Sequence, residues 1–201
     1  MQRFYQPASP TEYSRLDRAL KRMQKSSDGF QFADAMMKSK DANVRFFGCL
    51  TFTVKINCDW WVRRLPYDYS QTESRHLYRK SLEPQAASEL LVRLLSWLIQ
   101  LVSMNESAFV VKKLCSSLVA AFLQSDGQWH RCIRHVISCF YANRALEPSA
   151  VENESAVTID ALIDDVDVRY LVVTQWFATL LYEEVGTMST DAVALYVWPR
   201  Y

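Results

Sequence analysis

The stretch WHRCIRHVISC places Cys132, His135 and Cys139 at i, i+3 and i+7, one face of a helix, where three soft ligands could converge on a tetrahedral metal ion. A fourth ligand would have to come from Cys115 or His130. Cysteines on the buried face of a helix, with a hydrogen-bonded histidine among them, give the same spacing without a metal, and none is expected. A serine nucleophile needs a base and an orienting acid, and the three histidines, His76, His130 and His135, lie beside no strained nucleophile turn, so the chain is not expected to be an enzyme. The four glycines are never closer than nineteen residues, which excludes a glycine-rich phosphate loop, and no cofactor is expected. Trp60-Trp61 with Arg63-Arg64 could stack on and neutralise a nucleic-acid strand, but no longer basic stripe accompanies them.

The elements that carry these residues are helical. Half of the 201 residues are hydrophobic, and four glycines are too few for the many tight turns of a sandwich or barrel. Charged residues occupy the first segment where an apolar signal core would sit. The most apolar run, ELLVRLLSWLIQLVSM, is interrupted by Arg93, Ser96 and Gln100, so no membrane association is expected. Five cysteines, mostly inside apolar helical patterns, point to a reducing compartment. Residues 1–80 hold 15 Lys/Arg against 8 Asp/Glu, whereas residues 145–201 hold 2 against 10, so the two ends carry opposite charge.

Ser9-Pro10-Thr11-Glu12 has the form of a helix start and opens a helix over 10–25 with Leu16, Leu20 and Met23 on one face. Asp28 is expected to cap a second over 29–39, with Phe32, Ala35 and Met36 inward, and Asp41 a third over 41–57. That third stretch, DANVRFFGCLTFTVKIN, has the composition of a strand but helical periodicity. Val44, Phe47, Leu50 and Val54 form a stripe, Phe46, Cys49 and Ile56 a second flank, and Arg45, Lys55 and the threonines are left over. A helix apolar around so much of its girth needs neighbours on more than one side.

Residues 58–83 form a polar and aromatic connection. Pro84 opens a helix over 84–103, with Leu91, Leu94, Leu98 and Val102 on one side and Leu90, Trp97 and Leu101 on the other. Asn105 is expected to cap a helix over 106–124, followed by one over 128–142, an acidic loop over 146–166, a helix over 167–186 patterned by Val168, Leu171, Val172, Gln175, Leu180 and Leu181, and an irregular tail over 187–201. Pairing 10–25 with 29–39, 41–57 with 84–103 and 106–124 with 128–142, and leaving 167–186 unpaired, gives an all-α, right-handed solenoid of HEAT-type antiparallel pairs. Successive pairs begin about 30, 65 and 62 residues apart, less regular than the roughly 40–47 of HEAT repeats.

Taken together, QKSSDGFQFADAMMKS, DANVRFFGCLTFTVKINCDW and SAFVVKKLCSSLVAAFLQSDGQWHRCIRHVI resemble the N-terminal repeats of importin-β superfamily nuclear transport receptors, in the transportin-SR and importin-thirteen branch with its fungal members. In that group a QxSPxxWxxAxxLL helix precedes a VRFFGAxTLxxKI helix, then KLCxxLxAxxL and a tryptophan-led helix. The resemblance covers about 24–140 and makes 1–145 the N-terminal repeats and 167–186 the start of a further one. Phe30 stands where the family has tryptophan, and Cys49 where it has alanine. Such receptors are several times longer, so the chain is expected to end within the array, leaving a sticky edge around Val172, Trp176 and Leu180.

The resemblance implies a nuclear and cytoplasmic protein that binds the GTP form of the small GTPase Ran through the inner helices, 29–39, 84–103 and 128–142, and carries cargo past nuclear pore proteins in the full-length receptor. Polar positions on those otherwise apolar helices, Asp34 and Lys38, Arg93 and Gln100, Arg131 with Arg134, are the candidate partner contacts. The other readings are a helical-repeat scaffold with no GTPase dependence and, third, a helical nucleic-acid binder using the basic first 80 residues.

Overall fold

A computed structural model describes residues 9–59, 84–125, 129, 131–152, 163–164 and 166–186. Among them the chain is all-α, with helices α1 (Pro10–Lys25), α2 (Gly29–Met37), α3 (Ala42–Asp59), α4 (Pro84–Ser103), α5 (Ala108–Gln124), α6 (Cys132–Tyr141), α7 (Pro148–Glu152) and α8 (Val168–Gly186). The short α7 lies within the stretch expected to be an acidic loop, and α6 starts four residues later than expected. The Trp60-Trp61 and Arg63-Arg64 cluster, His76, His130 and the 187–201 tail fall outside the described residues.

The caps show where local sequence suffices. Ser9 Oγ accepts from the Glu12 N–H at 3.2 Å, with Pro10 in the first turn as the sequence pattern requires. Asp41 precedes α3 and accepts from the Asn43 N–H at 2.8 Å. Asp28 holds the cap position of α2 without a side-chain bond to the helix. Asn105 does not cap α5, whose cap position is Ser107. Instead Asn105, with φ 53°, closes α4: its N–H bonds to Val102 O and the Glu106 N–H to Leu101 O. Asn143, φ 48°, closes α6 in the same way, with bonds to Phe140 O and from Arg144 to Cys139 O. Asparagine thus takes, at the ends of α4 and α6, the left-handed positions that glycine usually fills.

Packing runs along two rows. In one, α1 contacts α3, α3 contacts α5, and α5 contacts α8; in the other, α4 contacts α6, and α2 is tied to α4 through Asp34. Cross-contacts join α2 to α3, α4 to α5, and α6 to α8. The broadest neighbours of α3 are therefore α2 and α5, not α4, and those of α5 are α3 and α8, not α6. Small residues explain the first of these. A Cβ on Gly48 would lie 3.0 Å from Met37 Sδ and 3.1 Å from Ala33 O, and one on Gly29 would lie 2.6 Å from the Gln24 carbonyl oxygen and 2.9 Å from Lys55 Cδ. Between α3 and α5 a polar seam does the same work: Ser117 Oγ donates to Cys49 O at 2.9 Å and lies 2.9 Å from Thr53 Oγ1.

These close approaches shift several helix faces from the expected ones. In α2, Gly29, Ala33 and Met37 are buried, while Ala35 is exposed and Phe32 and Met36 half-buried. In α1 Met23 is exposed, and Gln24 is buried, donating to Thr51 Oγ1 at 3.3 Å. The core face of α3 is Cys49, Phe52 and Ile56 together with the supposedly left-over Thr51 and Lys55; Val44, Phe47, Leu50 and Val54 are half-buried. Lys55 threads its stem past Gly29 to pair with Asp59 at 2.6 Å, its ammonium 5.9 Å from the Phe30 ring centroid. Substituting Gly29 by alanine is expected to destabilise the fold by about 1–3 kcal/mol through overpacking, outweighing the roughly 1 kcal/mol that alanine gains in helix propensity. A urea midpoint equal to or above wild type would show that the start of α2 can shift away from the Gln24 carbonyl at the end of α1 and that the Lys55 stem can give way.

By length and composition α4, from Gln85, could cross a membrane, despite its interruptions, but Leu90, Leu94, Leu95, Leu98 and Leu101 are buried in the core. Nor does α8 stand uncovered. Tyr170, Val173, Thr174, Phe177, Leu181 and Val185 form its buried face, in place of the expected Val168 and Val172, which are exposed. The Trp129 ring sits 5.8 Å from Phe177 and 6.2 Å from Phe122, and Tyr170 stacks on Phe140 at 4.5 Å. Trp176 is half-buried beneath the Lys112 ammonium, 4.8 Å away.

Candidate functional site

The C-terminal halves of α2 and α4 meet at Asp34. Its Oδ1 accepts from Trp97 Nε1 at 2.8 Å, and its Oδ2 lies 3.4 Å from Arg93 Nη1. The indole bond needs both helices at fixed separation, so it locks Trp97 edge-on between them. Less than one turn beyond Asp34, α2 ends and Lys38, Ser39 and Lys40 lead into α3. Gln100, Leu101 and Met104 lie correspondingly beyond Trp97 on α4 and the turn after it.

Between these two ends is an open groove of about 300 Å³. Met37, Trp97, Leu101 and Met104 form its apolar wall, and Lys38, Lys40, Arg45, Ser39 and Gln100 supply its polar groups. Arg45 holds the groove's base in place. Its guanidinium donates to Ser39 O and forms an ion pair with Glu106, the two side chains being only 11% and 5% exposed. Glu106 also accepts from the Ser107 N–H at 2.8 Å and hydroxyl at 2.9 Å. Burial alone would raise the Glu106 pKa, but the Ser107 bonds and the Arg45 charge outweigh it and hold the carboxyl below its usual value. Arg45 Nε, also buried, has no hydrogen-bond partner among the described residues.

Four of the six expected contacts thus share one face: Asp34 and Arg93 pair directly, and Lys38 and Gln100 line the same groove. Arg131 and Arg134 do not join them. Arg131 is exposed, in a left-handed conformation (φ 53°) immediately before α6, and Arg134 is half-buried on α6. The pattern of polar residues on apolar helices misses Trp97, which reads as part of an apolar side of its helix, and Arg45, which is left over between the two apolar flanks. An arginine inside so apolar a stretch was the available signal, since burying it requires a carboxylate partner.

The Cys132, His135, Cys139 face has another role. Trp129 Nε1 donates to His135 Nδ1 at 2.9 Å, and His135 Nε2 lies 3.0 Å from Leu146 O, so the neutral ring with hydrogen on Nε2 bridges two chain segments. Cys139 Sγ accepts from the Leu146 N–H at 3.4 Å. Burial pushes the Cys132 thiol up to about 12 and that of Cys139 to about 11, leaving both protonated and poorly nucleophilic at neutral pH. Among the described residues no three His, Cys, Asp or Glu side chains converge as a metal site. The α2–α4 groove presents cationic and amide donors beside an apolar wall.

No protein-family model, curated protein or solved structure matches this chain.

Proposed function

We propose that this chain is a non-enzymatic interaction module, the N-terminal part of a nuclear transport receptor, whose helices form a right-handed HEAT-type array and whose α2–α4 face contacts the GTP form of Ran. The observation that carries the proposal is the convergence of Asp34, Lys38, Arg93 and Gln100, drawn from two helices some sixty residues apart, on one face. The two rows of helices support the array, because in a solenoid each helix contacts its counterpart in the next repeat. Cargo and nuclear pore proteins are the further partners of the full-length receptor on this reading, with residence in nucleus and cytoplasm.

The test is direct binding to Ran loaded with a non-hydrolysable GTP analogue, with GDP-loaded Ran as control. Selective binding to the GTP form is expected, and Lys38→Glu, a change at an exposed position, is expected to weaken it about tenfold, or roughly 1.4 kcal/mol. Equal binding to both forms, or none, by a chain with an intact helical circular dichroism spectrum would remove the GTPase. A second reading would then stand, a helical scaffold without nucleotide dependence, which the cationic groove favours because its chemistry requires no GTPase.

A further inference from the structure

We infer that the groove between the ends of α2 and α4 is a docking site for an acidic peptide segment of a partner protein, one with a large apolar side chain between carboxylates. The inference rests on reading this face as an interaction surface and is independent of which GTPase, if any, uses it.

Charge decides the sign of the occupant. Lys38 and Lys40 are exposed and form no ion pair among the described residues. Of the nearby carboxylates, Asp34 is engaged with Trp97 and Arg93 and Glu106 with Arg45 and Ser107, while Asp41, next to Lys40 in the chain, bonds the Asn43 N–H and keeps its charge. With Lys38 and Lys40 set against Asp41, the groove and its edge carry about one uncompensated positive unit. The C-terminal ends of α2 and α4 oppose this with at most about half a negative charge each and the N-terminal end of α3 adds about half a positive one, so the balance stays positive and rests on Lys38 and Lys40. A basic segment would meet this field unfavourably.

Shape and wall chemistry decide the rest. A volume of about 300 Å³ is at the small end for a ligand pocket and the groove is open, which suits one side chain and its neighbours in a chain laid across it. Met104 is 58% exposed at the rim, and with Leu101 and Trp97 it offers a flexible apolar seat. The Gln100 amide and the lysine ammonium groups flank that seat, so carboxylates on either side of an apolar residue can each meet a donor. A nucleic acid fits less well, because its affinity comes from a run of phosphate contacts and among the described residues lining the groove two lysines lack an ion pair.

The probe is a fluorescein-labelled, amidated EELEE peptide, with QQLQQ as the uncharged isostere and EEAEE to test the apolar seat. Fluorescence anisotropy with the full chain is expected to show EELEE binding at least tenfold tighter than QQLQQ at low salt, and weakening steeply toward about 0.5 M salt. The Lys38→Glu/Lys40→Glu variant, altered only at exposed positions, should retain the wild-type circular dichroism spectrum and lose at least tenfold in EELEE affinity. EEAEE should bind several-fold more weakly than EELEE. QQLQQ binding as well as EELEE, or a folded double variant binding EELEE like wild type, would overturn the proposal. EELEE binding without Ran binding would uphold this inference and remove the GTPase; Ran binding by a chain that ignores EELEE would do the reverse.

Discussion

Replacing Glu106 by alanine is expected to destabilise the fold by about 3–5 kcal/mol, the scale for breaking a buried ion pair from one side. The loss comes less from the pair's attraction than from what it leaves behind, an Arg45 guanidinium 11% exposed with no carboxylate beside it. Arg45 links three places, Ser39 after α2, its own helix α3 and the turn before α5, so the α2–α4 groove should loosen with it. Arg45→Met combined with Glu106→Leu should recover much of the stability, because no charge is then buried. The acid limb carries the same signature. With its folded pKa held below the unfolded value, Glu106 contributes stability that is present above the unfolded carboxylate pKa of about 4.3 and lost as pH falls through the folded one. Urea unfolding near neutral pH and at progressively lower pH measures both effects. A single variant costing under about 1 kcal/mol, or a double variant no better than the single, would show that the pair is solvated in solution.

What the sequence disclosed and what it hid divide by distance along the chain. Ser9 and Pro10 act on residues within one turn, and their cap stands as the pattern required. The identity of the helices was likewise legible, even in the strand-like 41–57 stretch, because periodicity is local. Which face each helix buries was not. Gln24 is buried because Thr51 lies across from it, Ser117 because of Cys49 and Thr53, and Arg45 because of Glu106. Those partners are 27 to 68 residues away, and polar residues whose partners lie so far off look solvent-facing to any helical wheel. The face of α2 slipped for a steric reason: Gly29 and Ala33 are its approach surface to α3, and small residues score weakly as core.

The candidate site shows the same division. Asp34, Lys38, Arg93 and Gln100 could be picked one by one as polar interruptions of apolar helices, but nothing local says that the first and third pair or that the other two share a groove. Trp97 counted as core because its ring is apolar, yet its N–H is what fixes α2 against α4. Its position makes the groove a preformed one: the apolar wall is held by a bond between helices, and Arg45 is fixed from both α2 and α5 sides. Preorganisation of that kind lowers the ordering cost of binding, which favours recognition by a face over recognition by a mobile loop.

Alkaline pH should unfold the chain, and the cysteines make it so. Burial pushes the Cys49, Cys115 and Cys132 thiols up to about 12 and that of Cys139 up to about 11, from an ordinary value of 9.0. The folded chain therefore keeps protons that the unfolded chain releases. This stabilisation is complete below about pH 9 and is lost as pH rises through the interval up to the folded values. A shift of three units corresponds to at most about 4 kcal/mol per thiol, so even a fraction of the summed effect is comparable with the 5–15 kcal/mol stability of a typical domain. The urea midpoint should fall steeply between about pH 9 and 11, and circular dichroism should show loss of helix there without denaturant. Thiol reactivity provides an independent readout at mildly alkaline pH. Half-buried Cys58 should react with a chromogenic disulfide in the native state, while the other four react only at the rate of unfolding. Five thiols titrating together in the folded chain, or a urea midpoint flat to about pH 11, would mean that the helices do not exclude water from these sulfurs. The packing of α3 against α5, where Cys49 and Cys115 sit, would then be looser than the contacts between those helices require.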